Sequence, residues 1–291
     1  MVLIRGSEKF VMDVENLFDR LYSPERAPRV ALIYEHAEIS YAELHDGTVR
    51  AAEALHALGI GAGDRVGILL NDSPEFITSF VAIISLGAIA VPINLALRRE
   101  DQLFILKDCG ACAAIVEVKA VENLFSASDN GTEVKNLLIV SRDDGSPGPS
   151  ITTVNAQDFA GAKRRPLDEV FPVRADEDAD AFILYTSGST GEPKGAVHRQ
   201  ADIFYTNETF CREVLGLRES DRLFSSSRLP FAYGLGNSLT FPLLNGFTTI
   251  LCREKPTPDV ISRVFKEYRP TIFFGVPVVY RMLLDPLCSF E

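Results

Sequence analysis

The chain has 291 residues, 46% of them hydrophobic and 24% charged, with a net charge of −11. This is the composition of a globular protein rather than a disordered one, and the length suits one large or two medium domains. The acidic balance excludes a nucleic-acid partner held by a basic face and argues against docking on an acidic membrane. Met1 to Phe10 carry charges and no long apolar stretch, so no signal peptide is read there. Residues 30–34 are apolar and β-leaning. Ser40 and Glu43 form a Ser-x-x-Glu capping box that opens a helix running to about Leu58, before Gly59. Leu44, Ala51, Leu55 and Leu58 recur along it at near-helical spacing. Residues 65–70 read as a strand, and Ser73-Pro74-Glu75 opens a further helix with serine as cap and proline at its first position.

Residues 80–97 contain no charge and are long enough to consider as a membrane span. Gly87 and Pro92 interrupt the run, so it reads as a buried helix, a turn at Gly87 and a strand over 88–93. A helix over 99–107, a strand over 113–116, a helix near 121–126 and a strand over 137–140 continue the alternation. Residues 141–150 are rich in Gly, Pro and Asp and read as an exposed loop. Strands over 181–184, 223–227, 248–251 and 271–274 follow, with apolar helical segments at 235–244 and 260–268 and another helix after Pro277. This βα rhythm predicts an α/β fold with mostly parallel sheets covered by helices. Five cysteines, an odd number, fit reduced thiols in a cytoplasmic protein. Cys109 and Cys112 have redox or metal spacing, but no second pair or nearby histidine completes a site, so they read as packing residues at a helix end.

Residues 185–195, Tyr-Thr-Ser-Gly-Ser-Thr-Gly-Glu-Pro-Lys-Gly, carry most of the functional information. A buried strand empties into a loop of four small hydroxyl residues and glycines around one lysine. Glycines let backbone N–H groups approach an anion, and small hydroxyls donate without crowding it. Lys194 adds a mobile point charge, and Pro193 stiffens the segment before it. The triphosphatase pattern of Gly-Lys-Ser/Thr is absent, because Gly191 is followed by Glu192-Pro193-Lys194-Gly195. The site residues expected to hold phosphate are Thr186, Ser187, Gly188, Ser189, Thr190, Gly191 and Lys194, with Glu192 exposed and dispensable. His198 and Arg199 admit both a phosphate role and a packing role, and packing is preferred for His198.

These eleven residues resemble the phosphate-loop motif of the adenylate-forming superfamily of acyl-CoA synthetases, adenylation domains and luciferases. The segment 228–237, Arg-Leu-Pro-Phe-Ala-Tyr-Gly-Leu-Gly-Asn, is similar to the corresponding stretch of benzoate-CoA ligases and their aryl-CoA ligase relatives, and 273–280 fits the next landmark. The resemblance runs from about Asp13 to the last residue. It implies two similar αβ subdomains, over 10–175 and over 176–291, with the second incomplete and a C-terminal catalytic domain outside this chain. It implies an ATP-dependent acid-CoA ligase with ATP, Mg²⁺ and coenzyme A as partners, Lys194 and Thr186 as catalytic residues, and a magnesium-binding glutamate beyond residue 291. No metal ligand is assigned here. Ala232, Tyr233, Gly234, Phe274 and Gly275 are expected to wall a short acyl pocket, while Phe273 reads as core. Two readings compete: an adenylation domain loading a carrier protein, and a non-catalytic nucleotide-binding fragment. An amino-acid substrate would call for an Asp near 231–233, where this chain is aromatic. The chain by itself is expected to form no thioester, to bind ATP weakly and to self-associate.

Overall fold

The computed structural model describes residues 17–21, 23–125, 131–141, 150–154, 171–173, 176–187 and 192–284. Helix α1 (Leu17–Leu21) precedes an antiparallel hairpin, β1 (Val30–Tyr34) and β2 (Ala37–Ser40). The hairpin turns on Glu35 and His36, both at positive φ (47° and 69°), a turn whose twist matches that of its strands. Helix α2 (Tyr41–Ala57) starts at Ser40, whose Oγ accepts the Glu43 N–H at 3.2 Å while the Glu43 carboxylate takes the Ser40 N–H at 2.7 Å. The capping box is therefore formed as the spacing predicts.

The βα alternation then unfolds as expected: β3 (Arg65–Leu69), α3 (Pro74–Ser85), β4 (Ile89–Pro92), α4 (Arg99–Asp108), β5 (Ala113–Glu117), α5 (Val118–Phe125) and β6 (Asn136–Ser141). The uncharged run is a helix, a turn and a strand: α3 ends at Ser85, Gly87 turns the chain at φ +73°, and every residue of β4 is buried. Strands β7 (Ser150–Val154), β8 (Asp180–Ser187) and β9 (Pro193–Arg199) follow. Most of the loop read over 141–150 lies outside the described residues. Helix α6 (Gln200–Thr206) runs into a π-helical segment, Asn207–Leu215. Then come β10 (Arg222–Ser225), α7 (Ala232–Leu235), a π-helical turn Gly236–Thr240, α8 (Phe241–Asn245), β11 (Thr248–Leu251), α9 (Pro258–Tyr268), β12 (Ile272–Phe274) and α10 (Pro277–Leu283).

Two sheets result, ordered β12-β10-β11-β1-β2 and β7-β6-β5-β3-β4-β8-β9. Interior pairs are parallel, and the antiparallel pairs β1–β2, β6–β7 and β8–β9 lie at sheet edges. That is the α/β architecture predicted, with antiparallel edges added to parallel cores. A cut near residue 175 does not separate the sheets. Strands β8 and β9 join the seven-stranded sheet, and β1 and β2 join the five-stranded one. Strand partners are chosen by the core they close over, which linear order does not reveal. The largest apolar cluster spans both sheets, uniting Leu32 and Tyr34 with Val66 and Ile68 through Leu55, Phe80 and Leu239 on helices. Helices α4 and α5 cover the other face of the larger sheet through Ile105, Leu106 and Leu124. Elements without a sequence expectation are α1, β2, β7, β9 and the helix over 200–215; β2 and β9 are largely exposed edge strands without the apolar run that marks a core strand.

Candidate active site

Strand β8 is buried over Ala181–Leu184 and emerges at its carboxyl end. There it pairs antiparallel with β9, placing Tyr185 opposite Gly195, Thr186 opposite Lys194 and Ser187 opposite Pro193. Strands β8 and β9 thus form an antiparallel hairpin that flanks the Gly/Ser/Thr segment. Thr186 and Lys194 are exposed at its mouth, as is Glu192. Gly188, Ser189, Thr190 and Gly191 lie outside the described residues, as does the Ser187 side chain. Gly195 has a packing reason to be glycine: a Cβ there would lie 2.9 Å from Ile183 and 3.0 Å from the Tyr185 ring. The Tyr185 hydroxyl donates to Asp108 Oδ2 at 2.5 Å, tying the hairpin to the end of α4. Burial and this carboxylate both push the Tyr185 phenol pKa up.

His198 lies on β9, its ring stacked on Phe182 at 4.6 Å and 9°. Its Nδ1 stands 3.6 Å from Asp202. Arg199 pairs with Asp178 at 2.7 Å. Both residues are engaged within the fold. Cys109 caps α4, and Cys109 and Cys112 are free thiols raised in pKa by burial, in keeping with packing roles.

The residues expected to wall an acyl pocket lie at the carboxyl ends of β10 and β12. Phe231 N–H donates to the Arg228 carbonyl at 3.0 Å and turns the chain into α7. Gly234 is buried, and a Cβ on it would overlap that same carbonyl. Ala232 and Tyr233 are exposed. The Tyr233 ring meets the Phe274 ring edge-on, 6.2 Å apart at 90°. Phe274 is itself buried, and its carbonyl accepts the Ser226 N–H at 2.9 Å, which joins the ends of β10 and β12. Phe273 stacks on Phe224 at 5.5 Å, the packing role expected of it. At Gly275 a Cβ would come within 2.7 Å of the Tyr280 ring, so a neighbour inside the chain already requires glycine there. Beside Tyr233, Asn237 is 1% exposed on the π-helical turn, and its side chain hydrogen-bonds toward the Tyr233 phenol.

The sequence reading assigned no role to the polar groups joining the two carboxyl edges. Asp72, after β3, accepts the Leu229 N–H at 3.0 Å and lies 3.7 Å from the Arg228 guanidinium. Burial pushes the Asp72 carboxyl up to about 6, against the opposing pull of Arg228 and the Leu229 N–H. Glu117, at the end of β5, accepts the Asn71 N–H at 2.9 Å and the Arg253 guanidinium at 2.8 Å. Only Arg228 stood inside a segment singled out by sequence. Among the described residues no cluster of three His, Cys, Asp or Glu side chains could hold a metal ion, so magnesium is given no chain ligand. Among them too, no helix is long and apolar enough to cross a membrane.

The β8–β9 hairpin brings Thr186 opposite Lys194 at the carboxyl edge of one sheet, and the Tyr233 and Phe274 rings meet at the carboxyl edge of the other. The chain belongs to the AMP-binding enzyme family, whose model matches residues 23–291. It is 34% identical over 280 residues to a benzoate–CoA ligase of Thauera aromatica, covering 95% of this chain and 51% of that protein. The anthranilate CoA ligase AuaEII, solved with anthranoyl-AMP, superposes with a TM-score of 0.79 at 29% identity, over 91% of this chain and 50% of that one. A benzoate CoA ligase from Burkholderia xenovorans LB400 gives 0.76 at 31% identity, over 94% and 52%. The chain therefore spans about half the length of the relatives it matches.

Proposed function

We propose that the protein is an ATP-dependent aryl-CoA ligase acting on a benzoate-like carboxylate. In the first half-reaction a carboxylate oxygen bonds to the α-phosphorus of ATP. The bond from that phosphorus to the β-phosphate bridging oxygen breaks, and pyrophosphate leaves. Charge builds on the departing phosphates, and donors aimed at it lower the barrier. Thr186, Ser187, Ser189, Thr190 and Lys194, with the backbones of Gly188 and Gly191, are assigned that task. In the second half-reaction the coenzyme A sulfur bonds to the acyl carbon, the acyl–oxygen bond to AMP breaks, and the thiol proton is released. Magnesium, held by the phosphates of ATP rather than by an assigned residue of this chain, would supply charge neutralisation there.

Ala232, Tyr233, Gly234, Phe274 and Gly275 are assigned to the acid-binding wall. The observation that carries this reading is the half-exposed Tyr233 ring braced edge-on by a buried Phe274, at the carboxyl edge of a strand. A flat, rigid face at the cleft suits an aromatic ring better than a flexible chain. The names of the similar proteins, benzoate and anthranilate CoA ligases, support the same substrate class. Pyrophosphate release by the purified full-length protein, screened across benzoate, hydroxybenzoates, aminobenzoates and short fatty acids, tests it. Preference for the aromatic acids with CoA thioester as product is expected. Adenylate without thioester would replace this reading with carrier-protein loading, and preference for long fatty acids would overturn it.

A further inference from the structure

In the seven-stranded sheet, β3 leads to β4 on one side, whereas β5 leads to β6 on the other. The carboxyl edge between β3 and β5 is thus the switch point where open α/β sheets leave a crevice for ligands. At this edge stand Asn71, Asp72 and Glu117, and two arginines from the other sheet reach them. Arg253 bonds Glu117 at 2.8 Å, while Arg228 faces Asp72 and donates to the carbonyls of Cys252 at 2.9 Å and Arg253 at 2.7 Å.

We propose that this crevice is an internal socket which positions the acid-binding wall, and that Asp72 is a positioning residue for recognition of the aromatic acid. The proposal rests on the ligase reading for its substrate and on geometry for its mechanism. Asp72 holds the Leu229 N–H, one residue past Arg228. The Arg228 carbonyl in turn accepts the Phe231 N–H and leaves no room for a side chain at Gly234. Ala232 and Tyr233 lie between those two contacts. The place of the Tyr233 ring is therefore set from the opposite sheet, the one that carries the phosphate hairpin. The socket keeps the acid-binding wall in register with that hairpin, so that a bound carboxylate meets the phosphorus it attacks. Geometry of this kind matters because small misplacements of reacting groups lower rate steeply.

The test uses Asp72→Ala, Asp72→Asn and Arg253→Ala in the purified full-length protein. Amide hydrogen exchange is read over residues 229–235, and KM is read in benzoate-dependent ATP–pyrophosphate exchange. Losing one buried hydrogen bond corresponds to about a tenfold change in an equilibrium. Asp72→Ala should therefore speed amide exchange over 229–235 by about tenfold and raise KM for benzoate by about as much, with KM for ATP and exchange in the β8–β9 hairpin unchanged. Asp72→Asn keeps an oxygen for the Leu229 N–H and should restore both values to near wild type. Arg253 is partly exposed, so Arg253→Ala leaves no buried void; it should produce the same pattern more weakly, and it decides the matter if Asp72→Ala does not fold. Unchanged exchange over 229–235, or an equal rise in both KM values, would overturn the proposal. Wild-type protein without pyrophosphate exchange on any aromatic acid would sink the ligase reading alone, because the amide-exchange arm still judges the socket.

Discussion

Thr186 and Lys194 face each other across the hairpin, so the hydroxyl and the ammonium lie on the same face of it. Removing one preorganised donor to developing phosphate charge costs about 3 kcal/mol, or about a hundredfold in rate. Lys194→Ala should slow adenylate formation by that factor, measured as benzoate-dependent pyrophosphate exchange. Thioester formation from preformed benzoyl adenylate should change much less. Equal loss in both half-reactions would remove Lys194 from the phosphate cradle. At Tyr233 the expected loss is smaller and selective. Tyr233→Ala removes a flat face and its edge-on contact with Phe274, an interaction of about 1 kcal/mol. The ratio of kcat/KM for benzoate over propionate should fall about fivefold at that energy. A ratio that stays put would take the tyrosine out of the acid pocket.

Among the elements, α2 offers a clean check on local order. Its capping box is complete at Ser40 and Glu43, and the Glu43 carboxyl is held below its usual range by the Ser40 backbone and side-chain hydrogen bonds. Ser40→Ala should cost about 1 kcal/mol of stability, seen as a fall of about 2 °C in Tm. An unchanged Tm would show that the packing of Leu44, Ala51 and Leu55 alone sets the start of the helix. The β8–β9 hairpin shows a different balance. Its first strand was legible because Phe182, Ile183 and Leu184 form a buried run. Its second strand was not, since residues 194–197 are exposed and carry no buried apolar run. The helix over 200–215 was likewise hidden. It passes from α to π geometry at Asn207, which spoils the regular spacing by which a helix is read.

Across the molecule, Asp72 couples the two sheets and makes stability depend on pH. Its folded pKa of about 6 lies above the unfolded value of about 3.9. The folded state thus holds this proton more tightly than the unfolded chain does. The contribution is fully present below about pH 4 and is lost as pH rises through about 6; a shift of about two units is worth about 3 kcal/mol. Asp72→Asn carries no such titration, so its stability relative to wild type should climb by about 3 kcal/mol between about pH 4 and about pH 8. Urea denaturation at both ends of that range measures it. A difference independent of pH would mean that Asp72 ionises normally in the folded protein.

Local chemistry determined much of this protein in advance. Gly87, the Ser40 and Ser73 caps and the apolar runs of β1, β3, β5 and β11 were readable because turns, caps and buried strands depend on neighbours a few residues away. The loop motif after β8, proposed to hold phosphate, was readable for the same reason: its glycines, hydroxyls and lysine are contiguous. Tertiary structure alone decided which strands share a sheet, sending β1 and β2 to the strands that begin at residue 222 and β8 and β9 back to those before residue 155. It also decided that Asp72 and Leu229, 157 residues apart, would meet. Neither follows from a local pattern, because a buried carboxylate finds its partner only when two separately formed sheets close over one core and exclude the water that would otherwise serve it.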